Sequence, residues 1–134
     1  MRHHNRIAAG LFVTCSAFST VTVADEAVEK SGQIRFDQYC AVCHGTSAKG
    51  DGPFAALLTK RPADLTALAK RNGGEFPFGH AYDTIDGRNM LTAHGSREMP
   101  IWGKEMKDVG QGGETGLRGR LVETLIYLRS IQIK

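Results

Sequence analysis

Cysteine is scarce in this chain. Of three in 134 residues, Cys15 lies in an N-terminal stretch expected to be removed. Cys40 and Cys43 then leave no thiol for any other disulfide or redox role. Net charge is small as well. The chain carries 17 basic and 14 acidic residues, and loss of the leader takes only Arg2 and Arg6, for a balance near +1. So neutral a chain gives no support for binding nucleic acid or another polyanion. Docking by charge would need a local patch. Long apolar runs are missing too. The longest uncharged one, residues 7–23, has 17 residues diluted by Thr14, Ser16, Ser19, Thr20 and Thr22, short for a membrane span. Behind the basic Met1-Arg2-His3-His4-Asn5-Arg6, and before Thr22-Val23-Ala24 and Asp25-Glu26, it reads as an export signal. Residues 1–24 are therefore expected to be cleaved after Ala24, with a retained anchor as the alternative. Phe12-Val13-Thr14-Cys15 is a poor lipidation box. The glycine-rich residues 110–116 have no lysine followed by Ser or Thr and no flanking strand, which excludes a phosphate loop.

What is present centres on Cys40-Ala41-Val42-Cys43-His44. Two cysteines with two residues between, then histidine, form the attachment pattern of a c-type haem. One helical turn sets both sulfurs along one edge of the macrocycle for thioether formation with its vinyl groups. The next residue brings its imidazole under the iron, so His44 is the expected proximal ligand. Three other readings compete. A redox dithiol wants a βαβ pattern, and no strand alternation occurs nearby. A zinc site needs a fourth ligand and usually a second paired cluster, where only His80 and His94 remain. A plain disulfide across two residues would be strained.

The mature chain, residues 25–134, has the size of one domain, and a covalently held haem would supply much of its core. Val28, Gly32, Phe36 and Tyr39 recur at helical spacing and predict a first helix over residues 26–39. Glycine costs about 1 kcal/mol against alanine inside a helix. On a buried face, Gly32 therefore suggests a second helix crossing closely. Leu117, Leu121, Leu125 and Leu128 predict a C-terminal helix over 117–131 with a core stripe. Between them, 63–71 reads as a short helix begun by Asp64 and ended by Gly73-Gly74. Residues 81–87 read as one or two turns with Tyr82 and Ile85 on one face, 89–100 as loop, and 101–109 as another short helix.

Gly32, Phe36 and the Cys40–His44 motif together resemble the class I cytochrome c family, and Tyr127 stands where that family places an aromatic on its last helix. The resemblance runs from Gly32 to Tyr127. It implies an all-α cytochrome c fold of three to five short helices around one haem, held through Cys40 and Cys43. Gly50-Asp51-Gly52-Pro53 is similar to a subset of bacterial monohaem cytochromes. There a proline at the spacing of Pro53 offers its carbonyl to the free N–H of the axial histidine. Met99-Pro100, followed by Trp102-Gly103, looks like the distal-loop motif, making Met99 the expected sixth ligand. His94 is its main rival and Met90 the next. Met106 lies on a helix and is expected to pack. Arg61 is a candidate partner for a haem propionate. Trp102 is expected over the haem edge, where its indole N–H could reach a propionate.

The expected function is single-electron transfer in the periplasm, without catalysis. Ligation by both His44 and Met99 leaves no position for substrate. Donor and acceptor would be redox proteins. Membrane contact would come only through membrane-bound complexes, unless the N-terminal segment stays. The alternatives are a haem enzyme or gas sensor with a labile sixth ligand, and a haem-bearing subunit of a larger oxidoreductase. The second is kept open by residues 72–96, a longer stretch than a minimal carrier needs.

Overall fold

Gly32 marks where two long helices meet. The computed structural model describes residues 21–88, 98–107 and 110–133, with side chains from Ala24 onward. Helix α1 (Val21–Tyr39) and the last helix, α6 (Gly113–Ser130), form the main packing of the molecule. A Cβ at Gly32 would sit on the carbonyl oxygen of Glu123 and 3.0 Å from Tyr127 Cβ. The bare Cα thus lets α6 lie against the α1 backbone. Phe36, one turn on, is fully buried and meets the Tyr127 ring at 5.4 Å between centroids. At the rim of the seam, Arg35 donates Nε and Nη2 to Glu123 Oε2 at 2.9 and 2.5 Å.

The leucine stripe of α6 is the floor of the core: Leu117, Leu121, Leu125 and Leu128 are all buried. Helix α4 (Phe78–Asp86) lays Ala81 and Ile85 on it. It stops at Gly87, which takes φ 68° and donates its N–H to Asp83 O, the left-handed ending that favours glycine. Beyond the stop, Arg88 ties α4 to α6, bonding Asp86 through Nε and Nη2 and Glu114 through Nη1 and Nη2, each within 2.9 Å. Three helices have only four residues: α2 (Ala41–His44), α3 (Leu68–Arg71) and α5 (Trp102–Glu105). Two 3₁₀ turns, Ala55–Leu57 and Leu65–Ala67, complete the set. Asp64 begins the second turn as anticipated, its Oδ1 accepting Thr66 N–H and Oγ1 at 2.9 and 2.6 Å. The chain end closes on this region: Gln132 Oε1 accepts from Ala69 N–H, and Ile133 N–H donates to Thr66 O.

The architecture is all-α, with no strand among the described residues. It differs from the sequence reading mainly at helix ends. Helix α1 is already helical at Val21, the first described residue and upstream of the expected 26; α4 begins at Phe78 rather than 81, and α6 begins at Gly113, inside the stretch read as loop. Among the described residues there are six helices where three to five were expected, the added one being the single turn Ala41–His44, which is too short for a periodicity argument to count. The first residues of α1 with described side chains, Ala24 to Ala27, are exposed. Among the described side chains of α1, packing begins at Val28. No described helix is long and apolar enough to cross a membrane.

Candidate functional site

Cys40 stands at the joint between α1 and α2. Its N–H donates to Phe36 O at 2.8 Å, continuing α1, while its carbonyl accepts from Cys43 N–H at 3.1 Å and His44 N–H at 2.9 Å. Both thiols and the imidazole are therefore held by one turn. A four-residue helix leaves all its carbonyls without helical partners, and here each finds a downstream donor. Ala41 O takes Gly45 N–H, Val42 O takes Phe54 N–H, Cys43 O takes Gly52 N–H and His44 O takes Gly50 N–H, at 2.8 to 3.1 Å. Gly52 must be glycine for this. A Cβ there would come within 2.5 Å of Val42 O and 2.6 Å of Ala41 O. Gly50 has φ +76° and lies against the Pro62 carbonyl. The Gly50-Asp51-Gly52-Pro53 string is thus a brace for the motif as well as a turn.

Cys40 and Cys43 are half-buried free thiols. Burial, and secondarily the neighbouring Cys43, pushes the Cys40 thiol up to about 12. His44 Nδ1 lies 3.1 Å from Ala63 O. A carbonyl only accepts, so Nδ1 carries the proton and Nε2 keeps its lone pair. Burial pushes His44 below the ordinary imidazole value, and the Ala63 carbonyl partly offsets this. The result favours a neutral ring with one nitrogen committed to the backbone and the other available to a metal, the arrangement that orients a ligating histidine.

The carbonyl in that role belongs to Ala63, where the sequence pointed to Pro53. Leu65 N–H donates to Ala48 O at 2.7 Å, drawing residues 63–65 back beside the His44 turn. Pro53 is exposed, within the brace between Gly52 and Phe54. Arg61 is exposed and directs Nε to Gly50 O at 3.4 Å, so it supports the brace. Met99 is half-buried and packs against the hydrophobic core, as does Trp102, whose ring meets Tyr39 edge-on at 5.7 Å. Met106 is buried at 4% exposure, in the packing role assigned to it. His80 is exposed on α4; Met90 and His94 lie outside the described residues.

Two further groups act here that the sequence reading missed. Ala63 contributes only a backbone oxygen, which leaves no side-chain signal. Glu98 has a signal, a carboxylate directly before Met99-Pro100. Its Oε1 accepts Thr59 N–H at 2.6 Å and its Oε2 accepts Lys60 N–H at 3.0 Å. These two bonds, Lys60 first, hold it below the usual carboxylate range.

Among the described residues, no three His, Cys, Asp or Glu side chains gather as a metal cluster would. The donors present are two thiols on one turn, an oriented imidazole, and a thioether on a separate loop against the same core. Thiols, an imidazole and a thioether are the donor types a covalently attached haem would need, with Cys40 and Cys43 expected to attach it and His44 and Met99 expected to ligate it. No family model matches the chain, and none of the curated proteins or solved structures compared with it does either.

Proposed function

We propose that this protein is an exported single-electron carrier with a class I cytochrome c fold, holding one haem through Cys40 and Cys43 with His44 and Met99 as axial ligands. The observation that carries the reading is the braced Cys40–His44 turn, with the His44 ring fixed by Ala63 and Nε2 left to bind. When bound, haem supplies a one-electron ferric–ferrous couple. The chain's own part is to hold its groups still. The Ala63 carbonyl fixes the His44 ring plane and tautomer. The four brace bonds keep the thiols on one edge of the turn, so little has to reorganise when charge changes. Pro100, with its fixed φ, restrains the loop that presents the Met99 sulfur. Val42, Phe54 and Leu57 are exposed beside the motif, Leu57 at 77%. Such exposed apolar side chains are where redox proteins would approach.

The test is an optical spectrum of the periplasmically matured protein, ferric and then ferrous with carbon monoxide. The expected result is a thioether-to-iron charge-transfer band, absent in Met99→Ala, with no response to carbon monoxide in the wild type. Ready carbon monoxide binding, or a band untouched in Met99→Ala, would overturn the closed-carrier reading in favour of an enzyme or sensor.

A further inference from the structure

We propose that Glu98 is a positioning residue for Met99: by accepting the N–H groups of Thr59 and Lys60, its carboxylate anchors the loop that presents the thioether to the loop that follows His44. The inference rests on Met99 being the sixth ligand. It goes further in naming what holds that ligand in place.

The geometry has three parts. Thr59 and Lys60 follow a 3₁₀ turn and the extended Leu58, at φ −92° and ψ 141°. Their successive N–H groups meet one carboxylate, each on its own oxygen, at 2.6 and 3.0 Å. The bonded residues are 39 and 38 positions apart in sequence, so the contact joins two loops distant along the chain. Met99 lies between this anchor and Pro100. One neighbour is tied by two charge-assisted bonds, and the other has φ set by its ring. The residue that must offer a sulfur to iron is thereby restrained on both sides, and its loop needs less ordering when the ligand binds.

The carboxylate is needed in full. A glutamine at this position keeps one acceptor oxygen for two donors and sets an N–H₂ against the other. An alanine releases both. Because Glu98 is exposed, removing it opens no cavity, and the fold is expected to survive either change.

The experiment compares wild type, Glu98→Ala and Glu98→Gln, each matured with haem in the periplasm. Amide hydrogen exchange at Thr59 and Lys60 reads the anchor itself. Imidazole affinity of the ferric protein, with the charge-transfer band, reads how firmly Met99 is held. Expected in Glu98→Ala are faster exchange at both amides, a weaker band, and imidazole binding tighter by about tenfold as the ligand-ready loop population falls. Glu98→Gln should fall between. Unchanged exchange in Glu98→Ala would show that the anchor does not exist and overturn the proposal. Faster exchange with imidazole affinity within about twofold of wild type would overturn it differently, as an anchor that does not position Met99. A wild type without the band overturns the Met99 reading and the positioning role together. That failure is separable, since it shows before Glu98 is touched.

Discussion

Replacing Gly32 with alanine tests whether the two long helices are in backbone contact. The new Cβ would fall on Glu123 O, 2.6 Å from Glu123 C and 3.0 Å from Tyr127 Cβ. The obstacle is α6 backbone, so no side-chain rotation relieves it. The tightest approach, at Glu123 O, must open to about 3.4 Å, so α1 and α6 part by roughly 1.4 Å, and a gap of even about 1 Å forfeits about half of the dispersion energy across a seam. Overpacking of this kind costs about 3 kcal/mol at the upper end of its usual range. Alanine's better helix propensity returns about 1 kcal/mol. The net is a loss of about 2 kcal/mol, or a fall in Tm of roughly 10 °C for a domain of this size. Gly119 is the control. It lies in α6 with nothing within 4 Å of its would-be Cβ, so Gly119→Ala should gain about 1 kcal/mol from propensity alone. Thermal unfolding of the two variants, followed by helical circular dichroism, should move in opposite directions. A Gly32→Ala protein as stable as wild type would refute the close crossing. Equal losses in both would show that the effect is generic to glycine replacement.

Two other changes probe the supports of the fold. Asp86 is buried, and the Arg88 guanidinium bonded to it holds its carboxyl below the usual carboxylate range. A depressed folded value means stability present above the unfolded value of about 3.9 and lost as pH falls through the folded one. Asp86→Asn should therefore cost about 2 kcal/mol at pH 7, with the gap to wild type narrowing only below about pH 4. Urea midpoints from pH 7 to pH 2.5 would show this, and a gap that stays constant throughout would contradict it. Asp64→Ala removes the acceptor for both Thr66 N–H and Thr66 Oγ1 and should cost about 1 kcal/mol. An unchanged urea midpoint would mean the 3₁₀ turn does not depend on its cap.

The helix crossing was legible because its determinants are side-chain choices at helical spacing. Gly32, Phe36 and the leucines of α6 occupy the positions that periodicity assigned them, and Tyr127 meets Phe36 where the resemblance placed an aromatic. The cysteine–histidine turn was legible because its chemistry requires a fixed spacing. The histidine's partner was not. Ala63 acts through a carbonyl oxygen that every residue type carries, and Pro53 drew the role by its position after His44. The brace was only half visible: the glycines announced a turn, but no local pattern tells that Gly52 comes against the Ala41 and Val42 carbonyls or Gly50 against that of Pro62. Glu98 was hidden because a carboxylate bonding backbone N–H groups 38 and 39 residues away obeys no local period. Met90 and His94 lie outside the described residues, so the choice among distal ligands rests with the Met99→Ala spectrum.

The bonds around the cysteine turn also differ in reach from those that close the molecule. His44 and Ala63 are 19 residues apart, whereas Arg35 and Glu123, across the helix seam, are 88 apart. Closing the longer loop costs about 1.4 kcal/mol more in chain entropy, and the brace bonds at Gly50, Gly52 and Phe54 span shorter loops still. The turn can therefore take its shape in a chain whose two ends have not met, and short-range contacts of this sort form fast. In pulse-labelled refolding, the amides of Gly50, Gly52 and Phe54 should gain protection before the seam closes. The cysteine–histidine turn would then be ordered ahead of the scaffold, with its carbonyls already taken while α6 is still free to arrive.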